Sequence, residues 1–344
     1  MASDPQRVTL AKVAESAGVS VATVSKVING RPDVAQQTRD RVLELLRRYN
    51  YGGNKDNLRS HPTVELFFGV ERLSIYHTEI IQSVVDAGAR EGVAVVVGRR
   101  GDQEHDPTAD PVAWARGLAA AGRRAVIAVT ANTLSPPARE ALSRYRMPLV
   151  LLDPESLPDD SVVSVGATNF SGGHAAAAHL LSLGHRRIAY LGGPERAGSN
   201  QARLHGFRSA MEAAGARVPA ELVRHAGTFH AAEGLAHGER LLGESPAPTA
   251  VFAASDELAA GLIEAARRRG LRVPDDLSVV GFDNTPLAQV TSPPLTTIHG
   301  PVHEMGAVAL RTALQLAAGD RIDSHHVELA TRLVVRESTR GVGG

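Results

Sequence analysis

The stretch VTLAKVAESAGVSVATVSKVIN, residues 8–29, decides how the start of the chain is read. Leu10, Val13, Ala14 and Ala17 recur at helical spacing and form one apolar face, with Lys12 and Glu15 pointing away. Gly18 ends that helix, because glycine tolerates the left-handed backbone that a helix end requires. Ser20 can accept hydrogen bonds from the first free amides of a following helix, so a second helix starts there. In it Val24, Val27 and Ile28 face the first helix, whereas Val21, Ala22, Ser25, Lys26 and Asn29 take the other side. Two short helices locked about a tight turn, one with a small, polar and basic outer face, make a device for entering the DNA major groove. A helical hairpin in any domain can share one such signal, but the agreement of spacing, stop and cap favours the DNA reading.

After the turn GRPD, a helix from about residue 35 sets Val42, Leu45, Leu46 and Tyr49 on one stripe and closes a three-helix core. Residues 1–63 hold ten Lys/Arg against six Asp/Glu, a net charge of +4, and the whole chain is neutral. The rest therefore carries −4, and only the N-terminal part is suited to an anionic partner. The segment YGGNKDNLRSHPT is Gly-rich and polar and reads as a linker.

From residue 64 the pattern changes to short apolar runs alternating with helical stripes. VELFFGV, VAVVVG, AVIAVT and PLVLLD make one set of strands, with helices near 78–91, 109–120 and 138 between them. VVSV, RIAYLGG, TAVFAAS and LSVVGFD make a second set, with helices over 171–183, 201–214, 232–242 and 257–269. Such alternation builds parallel sheets covered by helices, here two lobes with a cleft between them. TTIHGP, a helix to residue 318 and strands near Val327 and Leu333 cross back to finish both sheets.

TLAKVAESAGVSVATVSKVING with VAQQTRDRVLELLRRYNY resembles the DNA-binding headpiece of the lactose-repressor (LacI/GalR) family of bacterial transcription regulators. HLLSLGHRRIAYLGGP, RLHGFRSAMEAAG, PTAVFAASDELAAGLIEAARRRGLRVPDDLSVVGFDN and PPLTTIHGP are similar to blocks of the same family's effector domain, and the likeness runs to VVRESTR. The resemblance implies an all-α helix-turn-helix headpiece plus an α/β two-lobed periplasmic-binding-protein-like effector domain built of two parallel-sheet subdomains. It divides the chain into a headpiece (1–50), a hinge or linker (51–63) and an effector-binding and dimerisation domain (64–344). Within the last, the N-lobe takes about 64–165 and 296–322, and the C-lobe about 166–295 and 323–340.

For the headpiece, base contacts are expected from Val21, Ala22 and Lys26, and backbone contacts from Thr9, Ser20, Thr23, Ser25, Asn29 and Thr38. In the family the linker usually forms a hinge helix that inserts a leucine into the minor groove, which makes Leu58 the candidate wedge. Gly52 and Gly53 stand where a proline is common and oppose that helix by about 1 kcal/mol each.

In the cleft, Arg203 and Asp283 match family positions that contact the effector, and a guanidinium with a carboxylate suits a ligand rich in hydroxyls. Tyr76, with its neighbour His77, and Phe229 match positions that present aromatic or polar groups. Asp153 and Ser255 lie just beyond strands and within reach of the cleft, whereas Asp256 reads as a helix cap and Trp114 as core. Asn169 and Phe170 stand at the lobe crossover where some relatives carry an acidic residue, and Ala197 stands where nucleobase-binding relatives can carry an arginine.

Enzyme readings find little support. The first strand is not followed by Gly-x-Gly-x-x-Gly, and neither a phosphate-binding loop nor a His-Glu-x-x-His motif occurs. The fourteen histidines are scattered and cysteine is absent, so no catalytic residue, cofactor or metal site is expected. MASDPQRVTL lacks the pattern of a secretory signal and no apolar run is long enough for a membrane span, so a cytoplasmic protein is expected. The reading is a regulator, expected to repress, that binds a near-palindromic operator in double-stranded DNA as a homodimer under control of a small molecule. A carbohydrate is the expected effector, and another metabolite such as a nucleobase is the alternative. A solute-binding module without a transcriptional role is the rival class, which the headpiece disfavours. No heptads follow VVREST, which favours a dimer over a tetramer.

Overall fold

The computed structural model describes residues 9–28, 34–49, 62–70, 72–100, 106–129, 134–154 and 161–343. Asn29, Leu58, the GRPD turn and residues 51–61 of the expected hinge lie outside the described residues. Contacts divide the chain into two compact units, Met1–His61 and Pro62–Gly344.

The first unit contains α1 (Leu10–Ala17), α2 (Val21–Ile28) and α3 (Gln36–Arg48). Val13, Ala14, Ala17, Val24, Val27, Val42 and Leu46 form its core, with Leu45 and Tyr49 packed against it, so the three apolar stripes meet as their spacing requires. Gly18 adopts φ 66° and ends α1, and Val19 N–H donates back to Ala14 O. Ser20 Oγ accepts from Thr23 N at 3.1 Å and opens α2. The Tyr49 and Ser16 hydroxyls, 2.9 Å apart, tie α3 to α1.

In the second unit the chain forms β1 (Thr63–Phe68), α4 (Ile75–Glu91), β2 (Ala94–Arg99), α5 (Pro111–Ala120), β3 (Arg123–Val129), α6 (Pro136–Arg144), β4 (Leu149–Leu152) and β5 (Val163–Ala167). It then crosses to the other lobe for α7 (Asn169–Ser182), β6 (Ile188–Gly192), α8 (Gly198–Ala213), β7 (Val223–His225), α9 (Ala231–Leu241), β8 (Ala250–Ala253), α10 (Asp256–Arg268), β9 (Ser278–Asp283), α11 (Leu287–Val290) and β10 (Thr296–His299). It returns for α12 (Val302–Ala318) and β11 (His326–Leu329), and ends with β12 (Arg332–Val334).

The sheet orders are β2-β1-β3-β4-β5-β11 and β7-β6-β8-β9-β10-β12. Neighbouring strands run parallel except β12, which lies antiparallel to β10. Strands covered on both faces need unbroken apolar runs, and β1, β6, β8 and β9 are buried along their whole length. Trp114 belongs to the core, edge-on to Phe67.

Two lobe boundaries differ from those expected. Residues 296–299 pair with β9, Thr297 opposite Gly281, so they belong to the C-lobe and the crossing follows His299. Residues 326–329 pair with β5, Val327 opposite Val165, so the expected C-lobe segment 323–340 starts too early. Short strands beside a crossover carry the same apolar signal in either sheet, and only pairing decides their lobe. Several helices also begin earlier than their stripes suggest, because the polar and small residues of a first turn add nothing to an apolar stripe. Ser74 and His77, for instance, form a capping box that starts α4 at Ile75.

Glycine lets the backbones of α7 and α8 touch. A Cβ on Gly206 would lie 2.0 Å from Phe170 O, and one on Gly173 would lie 2.1 Å from Arg203 O. Both obstacles are main chain and neither can rotate away. Gly206→Ala gains about 1 kcal/mol of helix propensity but forces the helices apart at a cost of about 1–3 kcal/mol or more. A net lowering of the urea midpoint is the expected outcome, and an unchanged or raised midpoint would show that the crossing yields.

Candidate functional site

In the first unit, α2 presents Val21, Ala22 and Lys26 to solvent, with Thr23 and Ser25 half-buried beside them. Val21 is 46% exposed. A small apolar pair at a helix start fits thymine methyl groups, and a lysine one turn later can donate to guanine acceptors. Ser20 spends its hydroxyl on Thr23, whose Oγ1 lies 2.9 Å away. Thr9 precedes α1, its carbonyl accepting from Lys12 and Val13, and Thr38 lies half-buried in the first turn of α3.

The second unit offers a different kind of site. Each sheet reverses its winding beside its first strand, between β1 and β3 and between β6 and β8, and the carboxyl ends of strands at such points form a crevice. Tyr76 in the first turn of α4 and Asp153 just after β4 come from one lobe. Arg203 on α8, Phe229 before α9 and Asp283 at the end of β9 come from the other.

Arg203 is the centre of the second set and only 5% exposed. Its Nε donates to Asn169 Oδ1 at 2.8 Å and its Nη1 to Ala254 O at 2.6 Å. Nη2 lies 3.7 Å from Asp283 Oδ1, an ion pair too long for a hydrogen bond. The guanidinium stands 3.6 Å over the Phe282 ring and 6.0 Å from that of Phe229. Phe229 in turn lies against Gly193, where a Cβ would meet its ring at 2.4 Å.

Asp153 and Asp283 occupy left-handed backbone, at φ 50° and 103°, with Asn284 following at φ 58°. Such strain in non-glycine residues persists only where the surroundings over-determine it, and it gathers at binding sites. The turn at 283–285 is indeed held from three directions. Asp256 accepts from Thr285 N at 2.7 Å and Thr285 Oγ1 at 3.1 Å, Asn284 Nδ2 lies 3.2 Å from His299 Nδ1, and Arg336 Nη2 donates to Asn284 Oδ1 at 2.6 Å.

Burial pushes the Asp283 carboxyl well above the usual range; Arg203 opposes the shift, and the charges of Asp256, Asp153 and Glu257 add to it. Asp153 is also raised by burial, against Arg203 and the hydroxyl of Tyr76, which donates to Asp153 Oδ2 at 3.0 Å. Tyr76 itself is raised by burial and by the charges of Asp153 and Asp283. Two buried carboxyls facing one guanidinium and one phenol form a polar wall that can exchange hydrogen bonds with hydroxyl groups in both directions.

The structure employs three neighbouring residues otherwise than expected. Ser255 is the cap of α10: its Oγ accepts from Leu258 N at 3.1 Å and donates to Phe229 O at 3.1 Å, so its hydroxyl is spent on scaffold. Asp256, expected as the cap, is the first residue of the helix instead, and its carboxylate also accepts from Thr297 Oγ1 at 2.5 Å. His77 completes the capping box of α4, its Nδ1 accepting from Ser74 N at 2.9 Å, and packs edge-on against Phe68. Burial, helped by nearby His230, lowers its pKa to about 4, so it is a neutral structural ring.

Sequence spacing missed Asn169 as a partner of Arg203, and it missed His230 and Glu257, which meet at 3.2 Å at the cleft. Contacts between residues tens of positions apart leave no periodic trace. The departure noted at Asn169 was the one available signal. Among the described residues no group of three or more His, Cys, Asp or Glu is placed to hold a metal ion, and no helix is long and apolar enough to cross a membrane.

Burial raises the pKa of Asp256 to about 7, against the three hydroxyl and amide donors around it. A carboxyl raised above its unfolded value contributes stability that is complete below about pH 4 and is lost as pH rises through about 7. Asp256→Asn, neutral throughout, is expected to remove that slope. Relative to wild type the variant should gain on the order of a few kcal/mol between about pH 5 and pH 8, read from denaturant unfolding at each pH. A constant difference between the two proteins would refute this account of Asp256.

Residues 9–54 match the model for bacterial regulatory proteins of the lacI family, and residues 177–339 match the periplasmic binding protein-like domain. The HTH-type transcriptional regulator DegA of Bacillus subtilis (strain 168) is 34% identical, over 97% of this chain and 98% of its own. The HTH-type transcriptional repressor PurR of Klebsiella pneumoniae (strain 342) is 32% identical, over 96% of each. Among solved structures, the transcriptional regulator CelR–cellobiose complex superposes with TM-score 0.72 at 31% identity, covering 96% of this chain and 100% of that one. The Lac repressor dimer bound to operator and the anti-inducer ONPF gives 0.75 at 28%, covering 97% and 100%.

Proposed function

Because the chain belongs to the lacI family of bacterial regulatory proteins and is a DNA-binding transcription regulator, we propose that it is a repressor that binds a near-palindromic operator as a homodimer and is controlled by a sugar in the cleft between its lobes. One headpiece offers a single eight-residue recognition helix, α2, too little surface for tight specific binding. A symmetric pair reading two half-sites supplies the rest.

The observation that carries the effector reading is the wall of Arg203, Asp283, Asp153 and Tyr76, with Phe229 beside it. Two strained carboxyls with unspent bonding capacity suit a ligand that brings several hydroxyl groups, and an aromatic ring suits the face of a sugar. The relative solved with cellobiose agrees with this class. A nucleobase is the second reading, and a ligand panel separates the two. Control follows when the effector binds one lobe arrangement more tightly than the other, since equal affinity would shift nothing.

In a binding-site selection, Lys26→Ala is expected to relax preference at one position of each half-site, a loss of about 1–3 kcal/mol of discrimination. Retention of the wild-type preference would take Lys26 out of the base-reading set. A sugar at one hundred times its Kd should stabilise the effector unit by about 2.7 kcal/mol, visible as a raised melting temperature. Asp283→Ala should abolish that rise while operator binding persists. A stabilising nucleobase with every mono- and oligosaccharide silent would transfer the cleft to the second reading.

A further inference from the structure

The lobes touch at a place remote from the strands that join them. At the crossovers the bonds are expected ones: Thr168 N–H donates to Leu329 O, and Thr331 N–H to Thr168 Oγ1 at 3.0 Å. Away from there, Glu257 of the C-lobe reaches across the cleft, and its Oε1 accepts from the backbone N–H of Ile75 at 2.9 Å. Its other oxygen, Oε2, lies 3.2 Å from His230 Nδ1, which anchors the side chain on its own lobe.

The chemistry at Ile75 suits this contact. Ile75 is the first residue of α4, a helix of 17 residues, and the first amides of a helix have no partner within it. Ser74 Oγ satisfies His77 N at 3.4 Å, and Glu257 satisfies Ile75 from the other lobe. The positive end of the helix strengthens a bond to a carboxylate. Ile75 also adjoins Tyr76, whose hydroxyl is fastened to Asp153. One turn of helix thus carries both a bond across the cleft and a bond within the proposed effector wall.

We propose that Glu257 is the positioning residue that sets the lobe arrangement: its bond to the Ile75 amide latches the cleft and holds the α4 turn bearing Tyr76 opposite Arg203 and Asp283. Only the last clause rests on the effector reading. The latch itself is a property of the chain without ligand, and its test uses none.

The bond can be cut from either end. Glu257→Ala removes the acceptor. Ile75→Pro removes the donor and leaves the helix able to form, since proline is well suited to the first helical position. Ser74 before it already has φ −98° and ψ 176°, the extended backbone that precedes proline readily, and Ile75 is 37% exposed, so its side chain is no core element.

The chain has no cysteine, so Arg116→Cys on α5 and Ala236→Cys on α9, both exposed, accept one nitroxide label each, one per lobe. The full chain is labelled, diluted with unlabelled protein so that each assembly holds one labelled copy, and its inter-label distances are measured by pulsed electron paramagnetic resonance without ligand. Wild type is expected to show a main population at the latched distance. Each substitution should raise the ratio of open to latched molecules about tenfold or more, the scale of a charge-assisted hydrogen bond. The double variant should go no further than either single one. An unchanged distribution in either folded variant, or effects that add in the double variant, would overturn the latch. If circular dichroism shows Glu257→Ala to be unfolded, Ile75→Pro decides alone: a raised ratio of open to latched molecules supports the latch, and an unchanged distribution overturns it.

Discussion

Arg203 puts a permanent positive charge into the interior of the C-lobe, and the cleft is arranged around satisfying it. A buried guanidinium is costly to leave unpaired, so every face needs a partner. Asn169 comes from the start of α7, Ala254 from the end of β8, Asp283 from the end of β9, and Phe282 supplies the ring beneath. Four elements are thereby held at one point. The glycine contact of α7 with the backbone of Arg203 places the helix bearing Arg203 within reach of Asn169.

Asp283 completes this group at a cost in backbone strain, which a second buried carboxylate helps to support. Asp256 makes no contact with the cleft wall in the bonds described, yet it grips Thr285 and Thr297 and so fixes the turn that carries Asp283. Two acids therefore divide the work. One faces the cleft with bonding capacity to spare, and the other spends its capacity on scaffold, although they stand at the ends of adjacent parallel strands, β8 and β9.

The bond across the cleft and the proposed effector wall converge on the first turn of α4. Three chain crossings join the lobes near 168, 300 and 330, and Glu257 joins them elsewhere. A bond to a backbone amide asks of residue 75 only that it not be proline, which is why its sequence shows nothing special. A ligand that engages Tyr76 or Asp153 acts on the same turn that the latch holds, and that adjacency is a physical route from occupancy to lobe arrangement.

Local regularities in the sequence are enough for the three-helix headpiece and the two parallel sheets, whereas Arg203, Asp283, Tyr76 and Phe229 are expected at the cleft from the family resemblance and Asp153 from its place just beyond a strand. Helical stripes, a glycine stop, a serine cap and apolar strand runs are set by neighbouring residues and survive without knowledge of the fold. Tertiary structure alone decided that residues 296–299 and 326–329 join the sheets they do, that Ser255 caps while Asp256 clamps, and that His77 is scaffold. It alone brought Asn169 to Arg203 and Glu257 to Ile75. These are choices among chemically similar partners far apart in the chain, and a hydroxyl, carboxylate or imidazole acquires its role from the donors and acceptors that packing brings within about 3 Å of it.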